Sequence, residues 1–300
     1  MEVITIDLRF QNIEQTIAAY VVIGSGGPVL IETGPGSTLK QMLASLRHHG
    51  ISAADIRHVF VTHIHLDHAG SAGWWSEQGA HVYVHERGAR HLIDPSRLLG
   101  SAKRIYGESM DALWGPMLPV PDAQMHALCD DDVVEVNGLE IAALDTPGHA
   151  YHHHTLLIGN IAFCGDAAGV RMPGTRFIAL PAPPPDFDLE AWEVSLARLL
   201  GRKLDRIYLT HFGCVEDVEE HLEALVSELS QAADFVRTRM RKGVGRRKII
   251  EEFVHWNRER ALEIGMPGEK FVQLETANPV EISVDGIIRY WHKKWQQEES

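Results

Sequence analysis

Residues 60–70, FVTHIHLDHAG, place His63, His65, Asp67 and His68 within six consecutive positions. Imidazole nitrogens and carboxylate oxygens are the ligands that zinc and other first-row divalent ions take where thiolates are absent. Side chains alternate along an extended segment, so His63 and His65 point to one side and can reach one ion together. Asp67 and His68, at the turn into a following helix, face a different direction. So short a segment does not wrap easily around a single ion, and the spacing points to two adjacent metals.

Each ion then needs ligands from elsewhere. Three stand where an apolar run gives way to a small-residue turn: His149 in LDTPGHA, Asp166 in FCGDAAG and His211 in YLTHFG. Small residues leave the backbone room to bring a ligand to an ion. Ligands at the ends of several strands gather over one edge of a sheet.

The elements that must carry them are readable from pattern. VITIDLRF, IAAYVVIG and PVLIE, separated by turns such as GSGG, read as short strands with an antiparallel start. The spacing of Leu39, Met42, Leu43 and Leu46 predicts a helix over 37–48, with Ser37 as its N-cap. RHVFVT is a buried strand ahead of the histidine cluster, and a helix is expected from about Asp67. HVYVH is another strand, 95–120 reads as helical, and 132–164 returns to strands. A Pro-rich loop (179–188) precedes a helix at 189–200 and the strand RIYLTH. After residue 215 almost no strand pattern remains, so the expected domains are 1–215, carrying the metal site, and 216–300, a helical subdomain. Strands and helices in alternating blocks favour a layered α/β architecture.

Composition narrows the class. Three hundred residues, 45% hydrophobic, suffice for a sizeable core. The N-terminus lacks the apolar stretch of a signal peptide, and no window approaches the length of a membrane span, so a soluble cytoplasmic protein is expected. Cys129, Cys164 and Cys214 are too scattered for a disulfide framework. A formal net charge of −13 disfavours nucleic-acid partners. One basic stretch, Arg237 to Lys248, departs from that balance and reads either as an anion-binding patch or as a solvated helix face.

The pattern H-x-H-x-D-H at 63–68, followed in order by His149, Asp166 and His211, resembles the metallo-β-lactamase fold superfamily of hydrolases. The resemblance implies an αββα four-layer sandwich with the site at one edge between two sheets. It implies that His63, His65 and His149 hold one metal, that Asp67, His68 and His211 hold a second, and that Asp166 bridges them. The helical segment after the sandwich is similar to the arrangement in hydroxyacylglutathione hydrolases. The family commonly carries Asp-Thr-Gly after an early strand. This chain has Glu32, Thr33 and Gly34, so a hydrogen bond from that carboxylate to a ligand histidine spans one extra methylene.

Two divalent ions, zinc first and iron or manganese as alternatives, would lower the pKa of a bridging water and polarise an ester, thioester or lactone carbonyl. Asp67 is then also a candidate to orient that hydroxide or relay its proton. His152, His153, Arg171, Arg176, Phe177 and Trp114 are candidates to support the site or touch a small-molecule substrate. His154 completes a His run whose members can equally alternate along a strand. The stripe Tyr106, Met110, Leu113, Trp114 and Met117 reads as core or as an apolar lid. A phosphodiesterase of the same fold and a non-catalytic metal-binding or regulatory protein are the alternatives. Apolar segments FVHW and IIRYWHKKW leave room for a homodimer.

Overall fold

The computed structural model describes residues 1–298. Its first half forms one six-stranded sheet. Strands β1 (Glu2–Asp7), β2 (Ala18–Gly24) and β3 (Gly27–Ile31) make an antiparallel meander. Beyond it β4 (His58–Phe60), β5 (His81–His85) and β6 (Met125–Leu128) add on in parallel. Parallel neighbours need crossovers, and helices supply them. These are α1 (Leu39–His48) before β4, α2 (Leu66–Ala69) and α3 (Ala72–Glu77) before β5, and α4 (Glu86–Ile93), α5 (Ser96–Tyr106) and α6 (Met110–Trp114) before β6.

The second sheet is β7 (Val133–Val136), β8 (Leu139–Asp145), β9 (His154–Ile158), β10 (Ile161–Gly165), β11 (Arg206–Leu209) and β12 (Gly213–Val215). All its pairings are antiparallel except β10 with β11, which α7 (Leu189–Leu200) connects as a crossover. The chain ends in α8 (Val218–Arg241), α9 (Arg246–Glu263), α10 (Lys270–Ala277) and α11 (Val280–Glu298).

Three cores separate four layers. Val21, Leu30, Val59 and Val82 pack outward against Met42, Leu46 and Trp75 of the first helical layer. The opposite faces of those strands, with Tyr20, Ile31 and Phe60, meet Ile141, Leu156 and Phe163 of the second sheet. Leu157, Ala162 and Leu209 pack against Trp192, Leu222, Leu229 and Ile287 of the last helices. Period-two alternation decides which face each strand residue joins. The helices after residue 215 therefore share a core with the second sheet. Among the described residues no helix is long and apolar enough to cross a membrane.

Several local expectations change. The stretch 95–120 is two helices ending at Trp114, with no helix over the Pro-bearing segment 115–120. Ser37 caps no helix: its hydroxyl donates to the Leu113 carbonyl at 2.5 Å, tying α6 to the start of α1. Strands β6 and β12 were not expected; both are short and sit at sheet edges. The basic stretch turns to acidic neighbours. Arg239 pairs with Glu252 (2.8 Å), Arg246 with Glu281 and Asp285 (2.5 Å each), and Arg247 and Lys248 with Glu251 (3.7 and 3.5 Å).

Candidate metal centre

The strand ends converge as a cluster at one edge of the sandwich. His63 and His65 lie on the turn between β4 and α2, Asp67 and His68 in α2 itself. His149 sits in the loop joining β8 to β9, Asp166 follows β10, and His211 lies between β11 and β12. Their donor atoms fall into two groups. His63, His65, His149 and Asp166 form one, and Asp67, His68 and His211 the other, with the atoms of each group within 4.8 Å of one another.

Hydrogen bonds behind the rings fix their tautomers. Thr62 Oγ1 donates to Glu32 Oε1 (2.5 Å) and so accepts from His63 Nδ1 (3.1 Å). His68 Nδ1 donates to Glu32 Oε1 (3.0 Å), His149 Nδ1 to the Pro181 carbonyl (2.6 Å) and His211 Nδ1 to the Thr16 carbonyl (2.7 Å). Each of these four rings thereby turns its Nε2 into the site.

His63 Nε2 and His149 Nε2 face each other at 3.1 Å, and His65 Nδ1 lies 2.8 and 2.9 Å from them. One proton on His65 could satisfy only one of these contacts, whereas a cation satisfies all three. Asp166 Oδ2 is 3.2 Å from His149 Nε2 and 3.5 Å from His68 Nε2, while its Oδ1 is 3.5 Å from His211 Nε2. Asp67 Oδ2 lies 3.3 Å from His211 Nε2. His68 Nε2 and Asp166 Oδ1 are buried with no hydrogen-bond partner among the described residues. Orphaned buried donors and acceptors are costly. The nitrogen and oxygen donor set therefore fits divalent metal ions, which would satisfy both.

Protonation divides the ligands: burial opposes charge on His68 and His211, yet the carboxylates of Asp166 and Glu32 raise the first and those of Asp166 and Asp67 the second, so a metal ion would displace their protons. Burial first, and the neighbouring His149 next, push His65 down to about 3, so its lone pair is free. Burial would raise the Asp67 carboxyl, but the imidazoles of His68 and His211 hold it at about 2. Asp166 is likewise held well below the carboxylate range against its burial by His68, His149 and His211.

Despite its extra methylene, Glu32 reaches a ligand histidine. Glu32 has φ +64°, a left-handed conformation uncommon for a non-glycine residue, and its buried carboxylate accepts from Thr62, His68 and Thr210. His153 lies behind the ligands rather than in the cleft: its Nε2 accepts the Asp166 backbone N–H (3.2 Å) and its Nδ1 meets Thr146 Oγ1 (2.9 Å). Gly165 makes this approach possible, because a Cβ there would lie 2.3 Å from Thr62 Oγ1 and 2.7 Å from His153 Nε2. His154 Nε2 donates to the Val61 carbonyl.

Above the ligands opens a cavity of about 330 Å³. His152 and Trp114 line it. Arg171, Arg176 and Phe177 do not. Arg171 forms a two-bond pair with Asp217 (2.9 and 3.0 Å), Phe177 is buried among Val170, Met172 and Leu274, and Arg176 is exposed on a separate depression. Direct sequence neighbourhood to Asp166 suggested all three; the β-bridge of Val170 with Ala179 folds the loop away. Sequence reasoning missed Thr62, Thr210, Thr16 and Pro181. The Thr-His pairs at 62–63 and 210–211 are a signal for the first two; the carbonyls have none.

The sequence model described as the metallo-beta-lactamase superfamily matches residues 14–211. A metallo-beta-lactamase fold-containing protein of Sulfurisphaera tokodaii is 28% identical over 221 residues, covering 70% of this chain and 78% of that one. An atrochrysone carboxyl ACP thioesterase of Aspergillus fumigatus is 27% identical over 212 residues, covering 67% of this chain and 53% of that relative's length. The crystal structure of a metallo-beta-lactamase family protein from Thermus thermophilus superposes with a TM-score of 0.68 at 19% identity, covering 98% of this chain and 93% of that one. Sequence match and fold agree, and the chain belongs to the metallo-beta-lactamase superfamily.

Proposed function

We propose that this chain is a dinuclear metal-dependent hydrolase of a small carboxylic ester, thioester or lactone. The observation that carries the reading is the place of Asp166, whose two oxygens reach imidazoles of both ligand groups on the floor of one cleft. When bound, two divalent ions, zinc first and iron or manganese next, supply an activated water and a polarised carbonyl. His63, His65 and His149 would hold one ion, Asp67, His68 and His211 the other, with Asp166 between them.

The chain's own groups do the rest. Asp67 lines the cleft, is held ionised, and is the carboxylate we assign to take a proton and return it to the leaving group. Tyr106 lines the same cleft near Asp67, and its hydroxyl is the group we assign to donate to the substrate carbonyl oxygen. The Aspergillus relative named as a thioesterase supports keeping thioesters in the class.

A panel of ester, thioester, lactone and phosphodiester substrates, assayed with defined metals, tests this. Carbonyl-centred hydrolysis with close to two ions per chain is expected, and His65→Ala should abolish it while the circular dichroism spectrum stays. Activity confined to phosphodiesters, or full activity with one ion, would overturn the reading.

A further inference from the structure

The walls above the ligands come from opposite ends of the chain. On one side α5 and α6 present Leu98, Ile105 and Trp114; on the other stand Pro184, from the Pro-rich loop, and Ala277 and Ile282, from the corner between α10 and α11. Ile105 is 51% exposed at this wall, a large apolar side chain left open beside the cleft. Exposed apolar surface in a concavity is what a hydrophobic ligand covers.

Both walls are preformed. Trp114 stacks on Phe10 at 5.2 Å and takes the edge of Tyr106 at 5.1 Å. Opposite, Asn278 Nδ2 and Ser283 Oγ donate to the Leu180 carbonyl (3.0 and 2.8 Å), and the Ala182 N–H donates to Ser283 Oγ (3.3 Å). Gly286 passes so close that a Cβ would lie 1.9 Å from the Ala182 oxygen. Lys270 Nζ reaches Gln15 Oε1 at 2.8 Å, tying α10 to the loop whose Thr16 carbonyl holds His211. The terminal helices thus brace both the cleft and two of its ligands.

Charge is nearly absent. Arg97 is the one Lys or Arg that lines the cleft among the described residues, and Asp186 is the one acid there besides the metal ligands. The basic stretch 237–248 is paired with glutamates and aspartates elsewhere. A substrate bearing several carboxylates or phosphates meets no matching set of cations in these walls.

Resting on the hydrolase reading, we propose that the cleft selects an uncharged hydrophobic acyl group, a hydrocarbon chain or ring held between α5–α6 and the α10–α11 corner with its carbonyl at the metal ligands. Uncleaved N-methyl amides, from acetyl to decanoyl, test this by calorimetry without any turnover. The dissociation constant should fall roughly fourfold per added methylene until the cleft is full. Leu98→Asp and Ile282→Asp, one on each wall, should each cut the decanoyl-to-acetyl affinity ratio at least tenfold. Val272→Asp, on an exposed position outside the cleft, should keep it. Thermal melts confirm folding, and Ile282→Ala stands in, with a smaller cut, if the aspartate variant does not fold.

A ratio near one in the parent protein, a ratio that neither wall variant changes, or equal binding of a chain ending in a carboxylate would overturn the inference. A graded binding series without hydrolysis of any substrate would sink only the hydrolase reading. Hydrolysis of acetyl esters with a flat binding series would sink only this one.

Discussion

The floor and the walls of the cleft shift the same residue type in opposite directions. On the floor, half-buried Asp67 and buried Asp166 stand among imidazoles that keep them ionised, at about 2 for Asp67 and well below the usual range for Asp166. In the wall, Asp186 sits beside prolines, and burial lifts its carboxyl to about 6. The floor is a polar network in which one missing partner leaves several buried groups unsatisfied. The walls are apolar packing, where losses are graded. Substitutions should therefore act steeply on the floor and gradually in the walls.

The steepest test is Asp166→Ala. It removes the carboxylate shared by both ligand groups, and hydrolysis should fall on the order of 1000-fold with loss of bound metal at an unchanged fold. Retention of metal and rate would mean the two groups do not act as one centre. Next comes Glu32→Gln. His68 and Thr62 lose the charge that orients them, and metal affinity should drop about 10- to 100-fold by competition with a chelator. An unchanged affinity would show that the left-handed turn at Glu32 serves packing alone.

A wall counterpart is Ser283→Ala. Its hydroxyl joins the Leu180 carbonyl, the Ala182 N–H and Asn278 Oδ1, so unfolding should cost about 2–3 kcal/mol less, read from denaturant titration. The Pro-rich loop it anchors also carries the Pro181 carbonyl that holds His149, so metal affinity should weaken a fewfold as well. A stability loss without any change in metal binding would separate wall from floor.

That asymmetry also governs what could be read without coordinates. Ligand chemistry is local: H-x-H-x-D-H names its own residues, and His149, Asp166 and His211 each follow an apolar run that ends in small residues. Layers follow from alternation, as Val59 and Phe60 show by entering different cores. The cleft wall is not local. Trp114 and Ile282 are 168 positions apart, and nothing in either segment signals that they line one cavity. Arg171 looked like a substrate contact because it follows Asp166 closely, but a turn and an aspartate partner carry it away. Glu32 was legible as an acid in the right place, while its left-handed backbone was not.

Asp186 offers the mildest probe of the same contrast. Burial raises its pKa from an ordinary 3.8 to about 6, against the opposing pull of Arg289 and Lys293. A carboxyl harder to ionise in the fold than in the unfolded chain favours folding while it is protonated. That contribution is complete below about pH 4 and is lost as pH rises through about 6. Above this window the folded protein carries a poorly solvated charge costing about 1–2 kcal/mol. Asp186→Asn keeps the shape and removes the titration. The variant should gain stability over the parent at pH 7–8, gain less at pH 5, and show no gain near pH 4, in urea unfolding at fixed pH. A difference that stays flat across that range would mean the wall is wet around Asp186, and the dry cleft that sets it apart from Asp67 and Asp166 would fail at this point.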